Sequence, residues 1–495
     1  MNVNPIVPGF YPDPSICRVG SDYYLATSSF EYFPGVPLFH STDLILWEQV
    51  GNVLDRAGQL KLPVGPAQAG SGIWAPTLRQ RDGLFLMVTT NVTEPAKGHL
   101  LVRSTDPAGD WSDPIHTDGA VGFDPDLAWE EDGTCYLTWA SASRGILQAQ
   151  LDPDSGRLLS EPRSLWSGTG LASPEAPHLI ARNEWWYLLI AEGGTERGHA
   201  VSVARSRSIT GPFEGCPANP IFSHRSTTHP VQNAGHADMI ELPDGRWAMV
   251  YLGVRPRGSV PQFHVNGRET FLAGIDWISD WPVVVEDAFT VPAHPTSFVD
   301  NFTGPQLHPR WVSPGVDPAT FVRRVAPDAT GGVTLLAGRA SEAREAERLL
   351  AVRARDAAWQ AAATVPAGDA ALVVRIDDAH WAAVERHGDS LSARMVVGPL
   401  DQRLGTVTGV DPDRPLAIRT VDTDDPERLR NGPDRIHLGY LRDGNFHTLA
   451  DVDGRYLSTE VAGGFTGRVI GVEALGGDAV LRRFEYAAIP TVVNA

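Results

Sequence analysis

Gly122-Phe123-Asp124-Pro125 is followed by Asp132-Gly133 and then by the run Cys-Tyr-Leu-Thr-Trp at 135–139. A reactive side chain, a turn and an aromatic-rich β run follow one another within 20 or so residues. The same phrase recurs on both sides. Upstream it reads Pro12-Asp13-Pro14 before Tyr23-Tyr24-Leu25, and Trp74-Ala75-Pro76 before Asp82-Gly83 and the run 84–88. Downstream it reads Pro174-Glu175-Ala176-Pro177 before Asn183 and 185–190, then Gly235-His236-Ala237 before Asp244-Gly245 and 247–252. The turns fall at intervals of roughly 50–60 residues, the period of a propeller in which each blade is one β-meander. Equivalent positions in such blades converge on one axis. Asp13, Trp74, Asp124, Glu175 and His236, scattered along the chain, are therefore expected to share one central funnel.

The recurrent Asp-Gly is the residue pair that a two-residue type I′ hairpin favours, because both central residues need positive φ. Ser21-Asp22 and Arg182-Asn183-Glu184 are looser versions of it. An outer-strand echo, Ser41-Thr42-Asp43 before Trp47 and Ser104-Thr105-Asp106 before Trp111, offers an aromatic ring for packing one blade on the next. Helical periodicity is nearly absent; its best stretch is 340–350. The repeat ends near Trp281-Pro282, and a Pro-containing connector leads into Phe298-Val299-Asp300-Asn301-Phe302. Short alternating runs then follow at 333–336, 371–376 and 436–441, with turns at Asp443-Gly444 and Asp453-Gly454. That texture suggests an antiparallel sandwich. The expected fold is all-β: a five-bladed β-propeller over 1–290, then a β-sandwich over 298–495 that packs on it.

Composition narrows the function. The 495 residues are too many for one core. With 42% hydrophobic and 20% charged residues the chain has the make-up of a globular protein. Its net charge of −19, from 41 basic and 60 acidic side chains, repels phosphate backbones and excludes nucleic acid as a partner. Cys17, Cys135 and Cys216 form neither a disulfide framework nor a metal-ligand spacing. No run approaches a membrane span, and Met1-Asn2-Val3-Asn4-Pro5 carries no basic segment or apolar stretch, so a cytoplasmic location without membrane contact is expected.

Three of the five funnel positions are acids. An Asp before Pro is commonly only a turn residue. Gathering three carboxyls on one axis, however, costs repulsion and desolvation, which stability alone gives no reason to accept. A cation site is the other reading of such a ring, but the neighbouring Tyr11, Phe30, Tyr32, Phe33 and Trp74 fit it poorly. Aromatic faces beside acids suit a sugar, whose C–H faces stack while its hydroxyls bond. Two carboxyls suffice for glycoside hydrolysis, and a third can keep the acid protonated. His236 takes the position that holds a carboxylate or Trp elsewhere, which favours the funnel over a core histidine. Arg268, in Asn266-Gly267-Arg268-Glu269-Thr270, is either a surface charge or a fork for vicinal hydroxyls. The residues alone leave that open.

Together, Phe10-Tyr11-Pro12-Asp13-Pro14-Ser15, Gly72-Ile73-Trp74-Ala75-Pro76, Gly122-Phe123-Asp124, Pro174-Glu175-Ala176-Pro177-His178 and Gly235-His236-Ala237 resemble glycoside hydrolase family 43, with its two-domain β-xylosidases as the best likeness. The resemblance runs essentially the whole length and makes the second part a concanavalin-like sandwich. It implies an inverting exo-glycosidase that releases terminal β-1,4-linked D-xylose from short xylo-oligosaccharides. In that reading Asp13 is the general base, Glu175 the general acid, and Asp124 the third acid that raises the acid's pKa and orients it. Asp126 competes for the last role. Phe30 and Trp74 correspond to pocket walls and Arg268 to a contact with sugar hydroxyls. His236 corresponds to an axial histidine that in some members touches a cation, often calcium, through water. No cofactor is implied as required, no metal is expected to carry chemistry, and a homo-oligomer is suggested by analogy alone. Gly463-Gly464-Phe465-Thr466-Gly467 resembles a sandwich loop that closes the pocket, although Arg468-Val469 departs from the aromatic expected there. An α-L-arabinofuranosidase is the competing enzyme. A non-catalytic sugar-binding propeller is the competing class, and the full set of three acids counts against it.

Overall fold

The computed structural model of the chain describes residues 3–62, 69–325, 331–338, 348–422 and 432–490. Most of the 340–350 stretch, singled out above for helical periodicity, lies outside them. Among the described residues the chain is nearly all-β; its one α-helix is the single turn Thr459–Ala462.

Five antiparallel meanders occupy the first part in chain order. Their innermost strands are Ser15–Val19, Thr77–Arg81, Phe123–Trp129, Glu175–Arg182 and Gln232–Glu241. Each packs against the next, and the last packs against the first, so the ring closes. The N-terminal segment helps to close it, with Val7 bridging Thr270 of the fifth sheet and the Ile6 N–H bonding the Thr270 carbonyl at 2.9 Å. Trp111 is buried among Val53, Leu54, Leu100 and Met87, which joins the first two sheets as the outer-strand echo suggested.

The hairpins show where turn chemistry was read too simply. Asp82 and Gly83 both have positive φ, 52° and 81°, as a type I′ turn requires. At Gly133 and Gly245 only the glycine is left-handed. There the strands stop earlier, and i→i+3 bonds from Gly133 to the Glu130 carbonyl and from Gly245 to the Leu242 carbonyl build longer loops. In the first sheet Val19 pairs Asp22, so the turn is Gly20-Ser21.

The second part holds two six-stranded antiparallel sheets. One runs Phe298–Asp300, Arg483–Ala488, Trp359–Thr364, Leu416–Asp422, Asp434–Arg442 and Asn445–Asp453 in spatial order. The other runs Leu350–Arg353, Val469–Ala474, Ala370–Asp377, His380–His387, Ser390–Val397 and Leu400–Val407. Trp359, Ala361, Ile418 and Phe484 of the first share one apolar core with Leu372, Val374, Val384 and Val472 of the second. Ala370–Asp377 is buried at every residue rather than alternately. The reason is that its other face, Ala371 and Val373, meets Phe10, Phe30 and Tyr32 of the first part. The aromatic loop around Phe30, Tyr32 and Phe33, between the second and third strands of the first meander, is thus interface. Tyr32–Phe33 pairs Ser313–Pro314 there. This contact brings the second part to the mouth of the ring.

Candidate active site

Three inner strands carry their reactive residue at an irregularity, while Asp13 and Trp74 just precede the strands Ser15–Val19 and Thr77–Arg81. Register shifts lie between Phe123 and Asp126, between Glu175 and His178, and between Gly235 and Asp238. Asp13, Asp124 and His236 themselves, and Ala176 after Glu175, sit at φ of 57°, 52°, 49° and 53°. A bulge re-aims a side chain, and a left-handed non-glycine residue costs about 1–3 kcal/mol, so the fold accepts strain at these four positions.

The re-aimed side chains line one cavity of about 420 Å³. Asp13, Phe30, Trp74, Asp124, Glu175, His236 and Arg268 all face it, joined by Phe123, Thr195 and Phe465. Asp13 is buried and fully engaged. The Ser28 hydroxyl donates to its Oδ2, and Arg268 Nη1 donates to its Oδ1 at 3.1 Å. The same Arg268 nitrogen donates to Thr195 Oγ1 at 2.9 Å, and its guanidinium lies 5.6 and 5.3 Å from the Phe30 and Phe465 ring centroids. Arg268 is therefore a buried site residue, not a surface charge. Burial, then the charges of Glu175 and Asp13, push the Asp124 carboxyl well above its usual range, although the Ala176 N–H donates to it at 3.2 Å. Glu175 Oε1 stands 3.6 Å from His199 Nε2. The Asn233 carbonyl, 3.0 Å from His199 Nδ1, assigns the proton to that nitrogen and turns the Nε2 lone pair toward Glu175. Burial lowers His236 to about 4, so its ring is neutral where it lies, 3.5 Å from Asp13 Oδ1.

A second polar layer lies beneath. Arg79 donates to Asp126 Oδ1 at 2.7 Å, Asp238 Oδ2 at 2.9 Å and Ser15 Oγ at 3.3 Å, and its Nη2 is 3.0 Å from His178 Nδ1. One guanidinium thus touches the inner strands of all five sheets. Asp126, the competitor of Asp124, is bound here and by the Leu179 N–H at 2.8 Å, away from the cavity lining.

The sequence profile described as "Glycosyl hydrolases family 43" matches residues 3–282. The chain belongs to glycosyl hydrolases family 43. As a family 43 protein it is a glycoside hydrolase. A xylosidase/arabinosidase of Butyrivibrio fibrisolvens is 45% identical over 297 residues, a match covering 57% of this chain and only 56% of that protein. A non-reducing-end α-L-arabinofuranosidase of Bacteroides ovatus is 34% identical over 96% of this chain and 91% of its own length. The crystal structure of a xylan β-1,4-xylosidase from Bacillus halodurans C-125 superposes with a TM-score of 0.84 at 29% identity, covering 98% of this chain and 100% of that one.

In this family 43 enzyme a calcium that reached His236 through water would take most of its oxygens from water. Calcium takes six to eight oxygens. The carboxylate oxygen beside His236 is Asp13 Oδ1, already held by Arg268, and the carboxylates below are committed to Arg79. The positive charge at the centre of the ring is a side chain.

Phe465, Phe123, Thr195, Ser28, His199 and Arg79 were not among the site residues read from the sequence. Phe465 had a signal, in the glycine-flanked loop 463–467. Its ring stacks on Phe30 at 6.0 Å and meets Trp74 edge-on at 5.5 Å. The departure at Arg468 has a structural reason: that side chain is buried and paired with Asp434, at 2.9 Å for Nη2, while its Nε holds the Leu457 carbonyl. It anchors the loop from beneath.

Proposed function

We propose that the chain is an inverting exo-glycosidase that releases terminal β-1,4-linked D-xylose from the non-reducing end of short xylo-oligosaccharides. The observation that carries this reading is three carboxyls and one guanidinium around a single aromatic-walled cavity. The five meanders, whose inner strands meet at Arg79, are read as the blades of a propeller over 1–290. The paired six-stranded sheets are read as a concanavalin-like sandwich over 298–495.

Asp13, which accepts hydrogen bonds from Arg268 and Ser28, takes a proton from water on one face of the sugar ring. Glu175 protonates the departing oxygen on the other face. Asp124, whose carboxyl is pushed well above the usual range by burial and by the charges of Glu175 and Asp13, is the third acid beside Glu175 and, when protonated, donates a hydrogen bond as charge develops. Arg268 and Thr195 bind ring hydroxyls, and Phe30, Trp74 and Phe465 stack on C–H faces and keep water out. No cofactor takes part, and Arg79 supplies the positive charge that steadies the layer below.

Proton NMR of the first-formed sugar tests the mechanism, because an α-configured xylose is expected and a β-configured product excludes it. An α-L-arabinofuranosidase is the second reading, favoured by the name of the Bacteroides ovatus relative. The ratio of kcat/KM on aryl xyloside and aryl arabinofuranoside decides between them. Binding of xylobiose without release of reducing sugar would instead make the chain a sugar-binding module.

A further inference from the structure

Outside the cavity, His224, His229 and Glu286 come together from two separate segments, with one ligand atom from each within 4.8 Å of the others. The loop 223–231 carries both histidines and leads into the inner strand Gln232–Glu241. Glu286 follows the outer strand Trp281–Val285 of the same sheet. The imidazoles lie face to face, centroids 3.8 Å apart and planes 31° apart. Nδ1 of both rings lies within bonding distance of one acceptor, the Val231 carbonyl, at 2.8 Å for His224 and 3.0 Å for His229. That shared anchor turns both Nε2 atoms toward the same carboxylate oxygen, Glu286 Oε2, at 2.9 and 3.6 Å.

Nδ1 of His224 donates to the Val231 carbonyl and leaves its Nε2 lone pair toward Glu286, while Nδ1 of His229 lies between that carbonyl and the Val231 N–H, which is 3.1 Å away. In the tautomer protonated at Nδ1, His229 turns a second Nε2 lone pair toward the carboxylate, and a cation between the three satisfies them all. His229 Nε2 has no hydrogen-bond partner, although its side chain is only 8% exposed. A backbone carbonyl behind each ligating histidine is the support that metal-bound imidazoles use. Two nitrogens and one carboxylate oxygen suit zinc rather than calcium or magnesium, and the partly exposed Glu286 leaves a side for water as the fourth ligand.

We propose that His224, His229 and Glu286 form a site for a zinc-class divalent cation that staples the 223–231 loop to the end of the fifth sheet. The staple backs the catalytic cavity. Ser223 Oγ donates to the His199 carbonyl at 2.8 Å, and the strand it braces carries the Asn233 carbonyl that orients His199 beside Glu175.

The full chain, stripped with EDTA and dialysed, is titrated with zinc chloride by calorimetry and then scanned thermally with and without the metal. One zinc per chain and a Tm raised by a few degrees are expected, with no displacement by a hundredfold excess of calcium. His229→Gln and Glu286→Gln should each weaken the binding at least tenfold while leaving the stripped proteins folded and kcat unchanged. Absence of zinc uptake by the wild type overturns the proposal and leaves a His224–Glu286 ion pair. Uptake of equal affinity in the His229→Gln/Glu286→Gln double variant also overturns it, since the metal then sits elsewhere.

Discussion

At the scale of single residues, the cavity separates carboxyls by what holds them. Asp13 receives two charged or hydroxyl donors, Asp124 is desolvated beside two like charges, and Glu175 faces the His199 lone pair. Removing Glu175 should therefore cost most where the leaving group needs a proton. Glu175→Ala is expected to lower kcat on xylobiose by about 10²–10⁴-fold, and far less on an activated aryl xyloside. Steady-state kinetics on both substrates check this, and equal losses would remove Glu175 from the role of acid. Glu31 makes a second prediction. Its Oε2 accepts the Gly70 N–H at 3.1 Å, and Gly70 in turn accepts from the Trp74 indole at 2.7 Å. Burial raises Glu31 from 4.5 to about 7. Because the folded value lies above the unfolded one, its contribution is fully present below about pH 4.5 and is lost as pH rises through 7. Glu31→Gln should thus match the wild type at pH 4 or below. It should exceed it by about 3 kcal/mol at pH 8, read from urea unfolding at the two pH values.

At the scale of elements, the repeated phrase was legible because each meander places one reactive residue at or near the start of its inner strand. The bulges at Asp124, Glu175 and His236 belong to that phrase, since Pro125 and Pro177 interrupt the ladder there. Elements defined by distant partners were not legible. Arg79 reads as one charge in an ordinary strand, and its four anchors come from four other sheets. The run 371–376 reads as a one-sided strand because the aromatic loop covering its second face lies over 300 residues away. The turn carrying Arg268 is equally non-local. Gly267 has φ of 74°, and a Cβ there would lie 2.5 Å from Phe10 Cβ and 2.9 Å from the Gly467 nitrogen. Gly267→Ala is expected to displace Arg268 and lower kcat/KM at least tenfold. Circular dichroism should show the sheets intact, and unchanged kinetics would mean that the turn can move without consequence.

At the scale of the whole molecule, the second part completes the pocket as well as packing beside it. Phe465 is the ring it contributes, and the loop bearing it is fixed by Arg468, whose backbone N–H bonds the Val265 carbonyl at 2.9 Å. Phe465→Ala should raise KM for xylobiose about tenfold with little change in kcat, because the ring contacts ground state and transition state alike. A fall in kcat with KM unchanged would instead give Phe465 a part in the chemistry.

The approach of Gly467 to Gly267 has a consequence for exchange of modules. A Cβ at Gly467 would lie 2.4 Å from the Asn266 carbonyl, so bare backbone faces bare backbone at this crossing. A chimera that borrows its C-terminal half from a homologue must import a glycine at that crossing, or Arg268 shifts. At this rivet the two halves are heritable only as a pair.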